Sequence, residues 1–274
     1  MYWYMDSSTS ATQSRSLKTR LEDLNSLLLV PFAFVLPLYV APANIIAGLI
    51  ALMWLLRGDY KRDLGKVQGN RLVLALVAYF FLHVLGLLWT SHLEEGPDKV
   101  ARAALFLFVP VFMMVLKREH ARMVVWAFIA SMMLSCAISF MIYFQVDPSR
   151  FRLNGHGDPI PFMSHIHYSV YLAIAITLLW YFMLFDSSAG RVSRVFAALG
   201  SLPLLFDLLI CNGRAGQMIL FIMVPVLVSH YFGRRWFRAL SVFAVVAPLL
   251  SGLAYLTIQP FRMRVDQASA DITQ

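Results

Sequence analysis

The sequence predicts an all-α fold, a polytopic transmembrane helix bundle of about nine spans, and three observations lead there. Of 274 residues, 59% are hydrophobic and only 14% charged. Soluble domains carry roughly 45–50% apolar and 25% charged residues. The apolar residues gather into long runs, and the basic residues fall in short clusters between those runs. A bilayer is the solvent in which such runs lower their free energy, because helices satisfy their own backbone groups there. The net charge of +8 therefore reads as topology rather than as a nucleic-acid surface.

Each span is a run close to the roughly 17–25 residues needed to cross the hydrocarbon. The runs are 24–40, 42–56, 72–90, 101–116, 122–145, 167–185, 194–211, 215–232 and 237–257. This divides the chain into a cytoplasmic polar tail (1–23), a transmembrane domain (24–257) and the start of a periplasmic loop (258–274). No Ala-x-Ala-like cleavage site closes a short apolar region near the N-terminus, so the first span is expected to be retained.

Pro31, Pro37 and Pro42 interrupt the first two runs, which form either a hairpin or one kinked helix. The basic residues favour the hairpin. With nine spans and a cytoplasmic N-terminus, sixteen Lys and Arg lie inside. They are Arg15, Lys18, Arg20, Arg57, Lys61, Arg62, Lys66, Arg71, Lys117, Arg118, Arg122, Arg191, Arg194, Arg234, Arg235 and Arg238. Seven lie outside: Lys99, Arg102, Arg150, Arg152, Arg214, Arg262 and Arg264. Merging the first two spans would make the ratio thirteen to ten, a weaker positive-inside bias. Trp54, Trp89, Tyr143, Tyr168, Trp180, Tyr181, Tyr231 and Trp236 fall near span ends, where amphipathic rings settle.

The two cysteines, Cys136 and Cys211, have no ligand spacing and read as packing residues, so neither a metal nor a disulfide is expected. No phosphate loop, dinucleotide fingerprint or hydrolase motif is present, and no cofactor is expected.

The clearest chemical signal is Cys211-Asn212-Gly213-Arg214-Ala215-Gly216, which closes one span and opens the next on the outer side. A guanidinium at a helix N-terminus suits phosphate or pyrophosphate, whereas the plainer role for Arg214 is snorkelling to lipid headgroups. Gln217 lies one turn into that helix and is a candidate to join the same substrate-binding polar cluster. Ser164-His165-Ile166-His167-Tyr168 opens the sixth span from the same side, with Ser164 placed as an N-cap. His165 and His167 are suited to proton transfer or phosphate donation, or simply to hydrogen bonding at the border. Their i, i+2 spacing puts them on different sides of a helix and argues against a shared metal. Arg150 and Arg152 in one outer loop, and Arg262 and Arg264 after the last span, are further anion-binding candidates or solvated charges. Asp207 lies inside the seventh span and needs a partner. Arg214 comes seven residues later, two turns up the same face if the helix continues, where Asp207 would orient it.

Three stretches resemble the O-antigen ligase/polymerase superfamily: LGLLWTSHLEEGPDKVARAALFLFVP, FMSHIHYSVYLAIAI and CNGRAGQMILFIMVPVLV. The resemblance runs over residues 24–264 and rests on motif order and topology. It implies a glycosyltransferase of the bacterial inner membrane that works without metal or nucleotide. Its partners would be an undecaprenyl-pyrophosphate-linked glycan, a lipid A–core acceptor (or another glycan repeat, for a polymerase) and membrane lipids, with no nucleic acid. Arg214 matches the family's periplasmic arginine turn, and Arg262 or Arg264 a further loop arginine. The family continues into a periplasmic loop, a catalytic histidine and more spans. The sequence stops at Gln274, so a C-terminally truncated member, inactive alone, is expected. His165 and His167 are not positional equivalents of that histidine. A lipid-linked oligosaccharide flippase is the alternative. It would call for charges at the bilayer midplane, whereas most charges here lie at span ends.

Overall fold

The computed structural model describes residues 18–90, 94–146, 159–186, 190–211 and 213–233, with eight single residues between 237 and 262. Every regular element among them is helical. They are α1 (18–27), α2 (Leu29–Val35), α3 (Val40–Arg57), α4 (Tyr60–Val67), α5 (Arg71–Gly86), α6 (Gly96–Ala104), α7 (Phe108–Val115), α8 (Arg118–Tyr143), α9 (His165–Phe185), α10 (Arg191–Ile210) and α11 (Arg214–Phe232). A 3-10 turn, Leu105–Leu107, joins α6 to α7.

Among the described residues five helices, α3 and α8 to α11, are long and apolar enough to cross a membrane. The number rises to six if α4 and α5, bent by 107° at their junction, act as one span. That is consistent with a multi-pass membrane protein. Large apolar side chains such as Leu74, Phe196, Phe221 and Ile222 stand exposed on the helix faces, as hydrocarbon solvation allows.

The expected spans at 24–40 and 101–116 are broken, and the reason in each is a proline. Pro31 cannot donate to the carbonyl of Leu27, and the helix is interrupted at Leu28. Pro110 cannot donate to Phe106, and the chain tightens into the 3-10 turn just before it. The run 72–90 yields a helix of only 16 residues, about 24 Å at 1.5 Å per residue. The expected loop before it is instead helix α4, whose ends are set by Gly58 and Gly69 at φ 73° and 83°. Asn70 then caps α5, its side chain accepting from the amides of Leu72 (3.0 Å) and Val73 (3.4 Å). The expected span 237–257 lies almost wholly outside the described residues.

The chain forms two compact units. The first comprises residues 1–36 and 40–127. Its apolar core groups Leu29, Ile50 and Val115, and a second cluster groups Val67, Val73 and Met114. Beside these lies a buried ionic knot. Asp63, fully buried, pairs with the buried Arg57 and accepts from Trp54 Nε1 at 3.1 Å, while Lys66 Nζ stands 3.1 Å away. Lys66 also donates to the Met114 carbonyl at 2.9 Å, tying α4 to α7. Glu22 on α1 pairs with Arg62 at 2.8 Å. Burial opposes ionisation of Glu22, but the Arg62 hydrogen bond and the charges of Arg62, Arg57 and Lys117 outweigh it and hold the carboxyl below its ordinary value. Lys117 pairs with Asp23, and that hydrogen bond outweighs burial and raises the Lys117 ammonium above its usual range. Trp54 is thus anchored by a carboxylate and is not simply an interfacial ring.

The second unit comprises residues 37–39 and 128–274. In it α9 packs against both α10 and α11. Its buried side is Tyr168, Ser169, Leu172, Ala173, Ala175, Ile176 and Leu179; beyond Tyr168 these are small and medium residues that let neighbouring backbones approach. Trp180, expected at a membrane interface, donates to Ser201 Oγ on α10 at 3.0 Å. Pro203 and Pro225 sit inside α10 and α11 without ending them. The α8 helix closes at Gln145, in the left-handed region at φ 56°, with Val146 N–H donating to Met141 (3.0 Å) and Gln145 N–H to Ile142 (3.1 Å).

Candidate functional site at the mouth of α11

Two segments singled out in the sequence come together within the second unit. At Cys211 the backbone leaves the helical region (φ −68°, ψ 147°) and α10 ends. Gly213 (φ −90°, ψ 83°) then turns the chain into α11, whose first residue is Arg214. The turn fits against the start of α9 because Gly213 and Gly216 have no side chains. A Cβ on Gly213 would stand 2.6 Å from the His165 carbonyl oxygen, and one on Gly216 would run into the backbone of Ser169. The close approach is secured by a hydrogen bond from Gly216 N–H to Ser169 Oγ at 3.2 Å, and Ser169 in turn donates to the Ile166 carbonyl at 3.0 Å. Ser169 therefore caps α11 from a neighbouring helix.

Arg214 is exposed and has no ion-pair partner among the described residues. The expected pairing with Asp207 does not form. The helix breaks between the two residues, so the two-turn register is lost. Asp207 is fully buried and instead accepts from Ser139 Oγ at 2.6 Å and from Tyr168 OH. Gln217, expected to join the ligand-binding polar groups, donates to the Leu208 carbonyl at 3.1 Å and so satisfies one of the orphan acceptors at the end of α10. Its position is explained by helix termination rather than by an open site.

His165 and His167 are both exposed at the start of α9. Ser164 stands at the N-cap, as expected, but its hydroxyl bonds His167 Nδ1 at 2.7 Å and makes no cap bond to the backbone. Arg262 stacks over the Tyr255 ring, 5.6 Å from its centroid. Arg152 and Arg264 lie outside the described residues. No group of three or more potential metal-ligating side chains occurs among the described residues.

The sequence reading missed Ser169, Ser139 and Tyr168 as partners. The spacing Gly213-x-x-Gly216 and the serines at 131, 135 and 139 were visible signals of close packing and of one polar helix face. Which helix each would meet was not. In comparisons with known proteins, the chain matches no family model, no curated protein and no solved structure.

Proposed function

We propose that this chain binds the diphosphate of an undecaprenyl-linked glycan at the mouth of α11, and that it serves transfer of that glycan to a lipid A–core acceptor in the manner of O-antigen ligases. A place in the bacterial inner membrane, with this mouth on the periplasmic side, belongs to the same reading. The observation that carries it is the exposed guanidinium of Arg214, without an ion-pair partner among the described residues, on the first residue of a 19-residue helix that Gly213 and Gly216 lock against the segment bearing His165 and His167.

The chemistry asks for those groups. As the sugar–diphosphate bond breaks, charge grows on the leaving oxygen. A fixed guanidinium and the positive end of a helix dipole lower the energy of that charge. The acceptor hydroxyl oxygen replaces the diphosphate on the sugar and must lose its proton. With its Nδ1–H donated to Ser164 Oγ, His167 holds Nε2 open to take that proton.

The test is binding of undecaprenyl pyrophosphate to the chain in lipid nanodiscs. Loss of one charge-assisted contact, about 1.5–3 kcal/mol, predicts roughly 10–100-fold weaker binding for Arg214→Ala. Its melting temperature should be unchanged, because the side chain is exposed and has no ion-pair partner among the described residues. Equal affinity for both proteins refutes the site. Labelling of Arg214→Cys from the cytoplasmic side refutes the orientation.

A further inference from the structure

Asp207 serves neither Arg214 nor any other cation among the described residues, and the Ser139 hydroxyl beside it has one hydrogen for two close oxygens. Ser139 Oγ lies 2.6 Å from Asp207 Oδ1 and 2.6 Å from the Pro159 carbonyl oxygen, all of them buried. Both separations are hydrogen-bond lengths. A serine hydroxyl has a single hydrogen and can donate along only one of them. The Pro159 carbonyl has none to give. If Ser139 donates to Pro159, the hydrogen between Ser139 and Asp207 must come from the carboxyl. Tyr168 OH then donates to Oδ2, and every contact holds one hydrogen. With the carboxyl ionised, Ser139 has one hydrogen for two oxygens, and one of its two 2.6 Å contacts holds none. Oxygens this close also leave no room for a metal ion between them. Among the described residues the other titratable groups at the cluster are the Cys136 thiol on α8, which also hydrogen-bonds Asp207, and, beside Tyr168, the Cys211 thiol.

A second observation extends the site. Ser135 and Ser131 precede Ser139 by one and two turns on the same face of α8. Both are fully buried, and neither hydroxyl has a hydrogen-bond partner among the described residues. Serines inside helices commonly bond the carbonyl four residues back, and these do not. Hydroxyls one turn apart are separated by about 6 Å, about the span of two O–H···O bonds through a single water. Ser131 stands midway along the 26 residues of α8, so the row runs from the middle of that helix towards its end.

We infer that Asp207 is a proton-holding site inside the membrane-spanning part of the second unit, reached along the hydroxyls of Ser131, Ser135 and Ser139 with water between them. It is distinct from the Arg214 mouth, and either can fail without the other.

Infrared difference spectroscopy of the whole chain in lipid vesicles, taken across a pH step, tests it. Wild type should show a protonated-carboxyl stretch that is absent in Asp207→Asn and shifted in Ser139→Ala, where its acceptor is gone. Asp207→Glu keeps a carboxyl and should move the band, which preserves the test if the asparagine variant does not accumulate. A spectrum that is unaltered by all three changes overturns the proton site. In deuterated buffer, Ser135→Ala and Ser131→Ala should slow exchange of this band severalfold. Unchanged exchange in both overturns the path.

Discussion

Gly216→Ala tests the packing that builds the candidate site. The new methyl would occupy the backbone of Ser169, so α9 and α11 must separate. Overpacking of this kind costs about 1–3 kcal/mol. The hydrogen bond from Gly216 N–H to Ser169 Oγ stretches beyond its 3.2 Å, and its loss adds about 1 kcal/mol. Replacing a helical glycine by alanine returns about 1 kcal/mol of helix propensity. The net is a destabilisation of about 1–3 kcal/mol, or a fall in melting temperature of roughly 3–10 °C. Gly200 in α10 is the control, since a Cβ there meets nothing within 4 Å. Gly200→Ala should be stabilising by about 0.5–1 kcal/mol. A thiol-reactive fluorophore reads both variants in detergent, because Cys136 and Cys211 are buried thiols within the same unit. If Gly216→Ala melts at or above wild type, the close approach of α11 to Ser169 is wrong.

Two further outcomes concern the first unit. Asp63→Asn leaves Arg57 buried without its closest carboxylate and should cost about 3–5 kcal/mol. Thermal melts followed by tryptophan fluorescence would detect it, because Trp54 donates to that carboxylate. A melt equal to wild type would show that the pair is not buried as described. Glu22→Gln should lower stability in a pH-dependent way. Its folded-state carboxyl lies below the ordinary value of 4.5, so its contribution is present above that value and is lost as pH falls through the lowered one. The melting-temperature gap between wild type and Glu22→Gln should therefore hold at neutral pH and close in acid. A gap of constant size would remove Glu22 from the ionic knot.

Much of the helical architecture was legible along the chain. Runs 42–56, 122–145, 167–185, 194–211 and 215–232 match α3, α8, α9, α10 and α11 to within a few residues at most boundaries. The cause is local, since a continuous apolar run in a low-dielectric solvent must close its own hydrogen bonds as helix. Prolines were visible too, but whether each one breaks a helix depends on tertiary support. Pro203 and Pro225 sit within unbroken helices, while Pro31 and Pro110 follow interruptions.

The site divides the same way. By itself the sequence determined that Arg214 opens a helix, that two histidines open another, and that Asp207 is a charge in need of a partner. Only the tertiary structure decided that Asp207 meets Ser139 and Tyr168, that Gln217 closes the end of α10, and that Gly216 rests on Ser169. Helix formation follows from neighbours within four residues. Partners at separations of 39, 47 and 68 residues depend on which helix faces pack, and several arrangements of equally apolar faces compete for that.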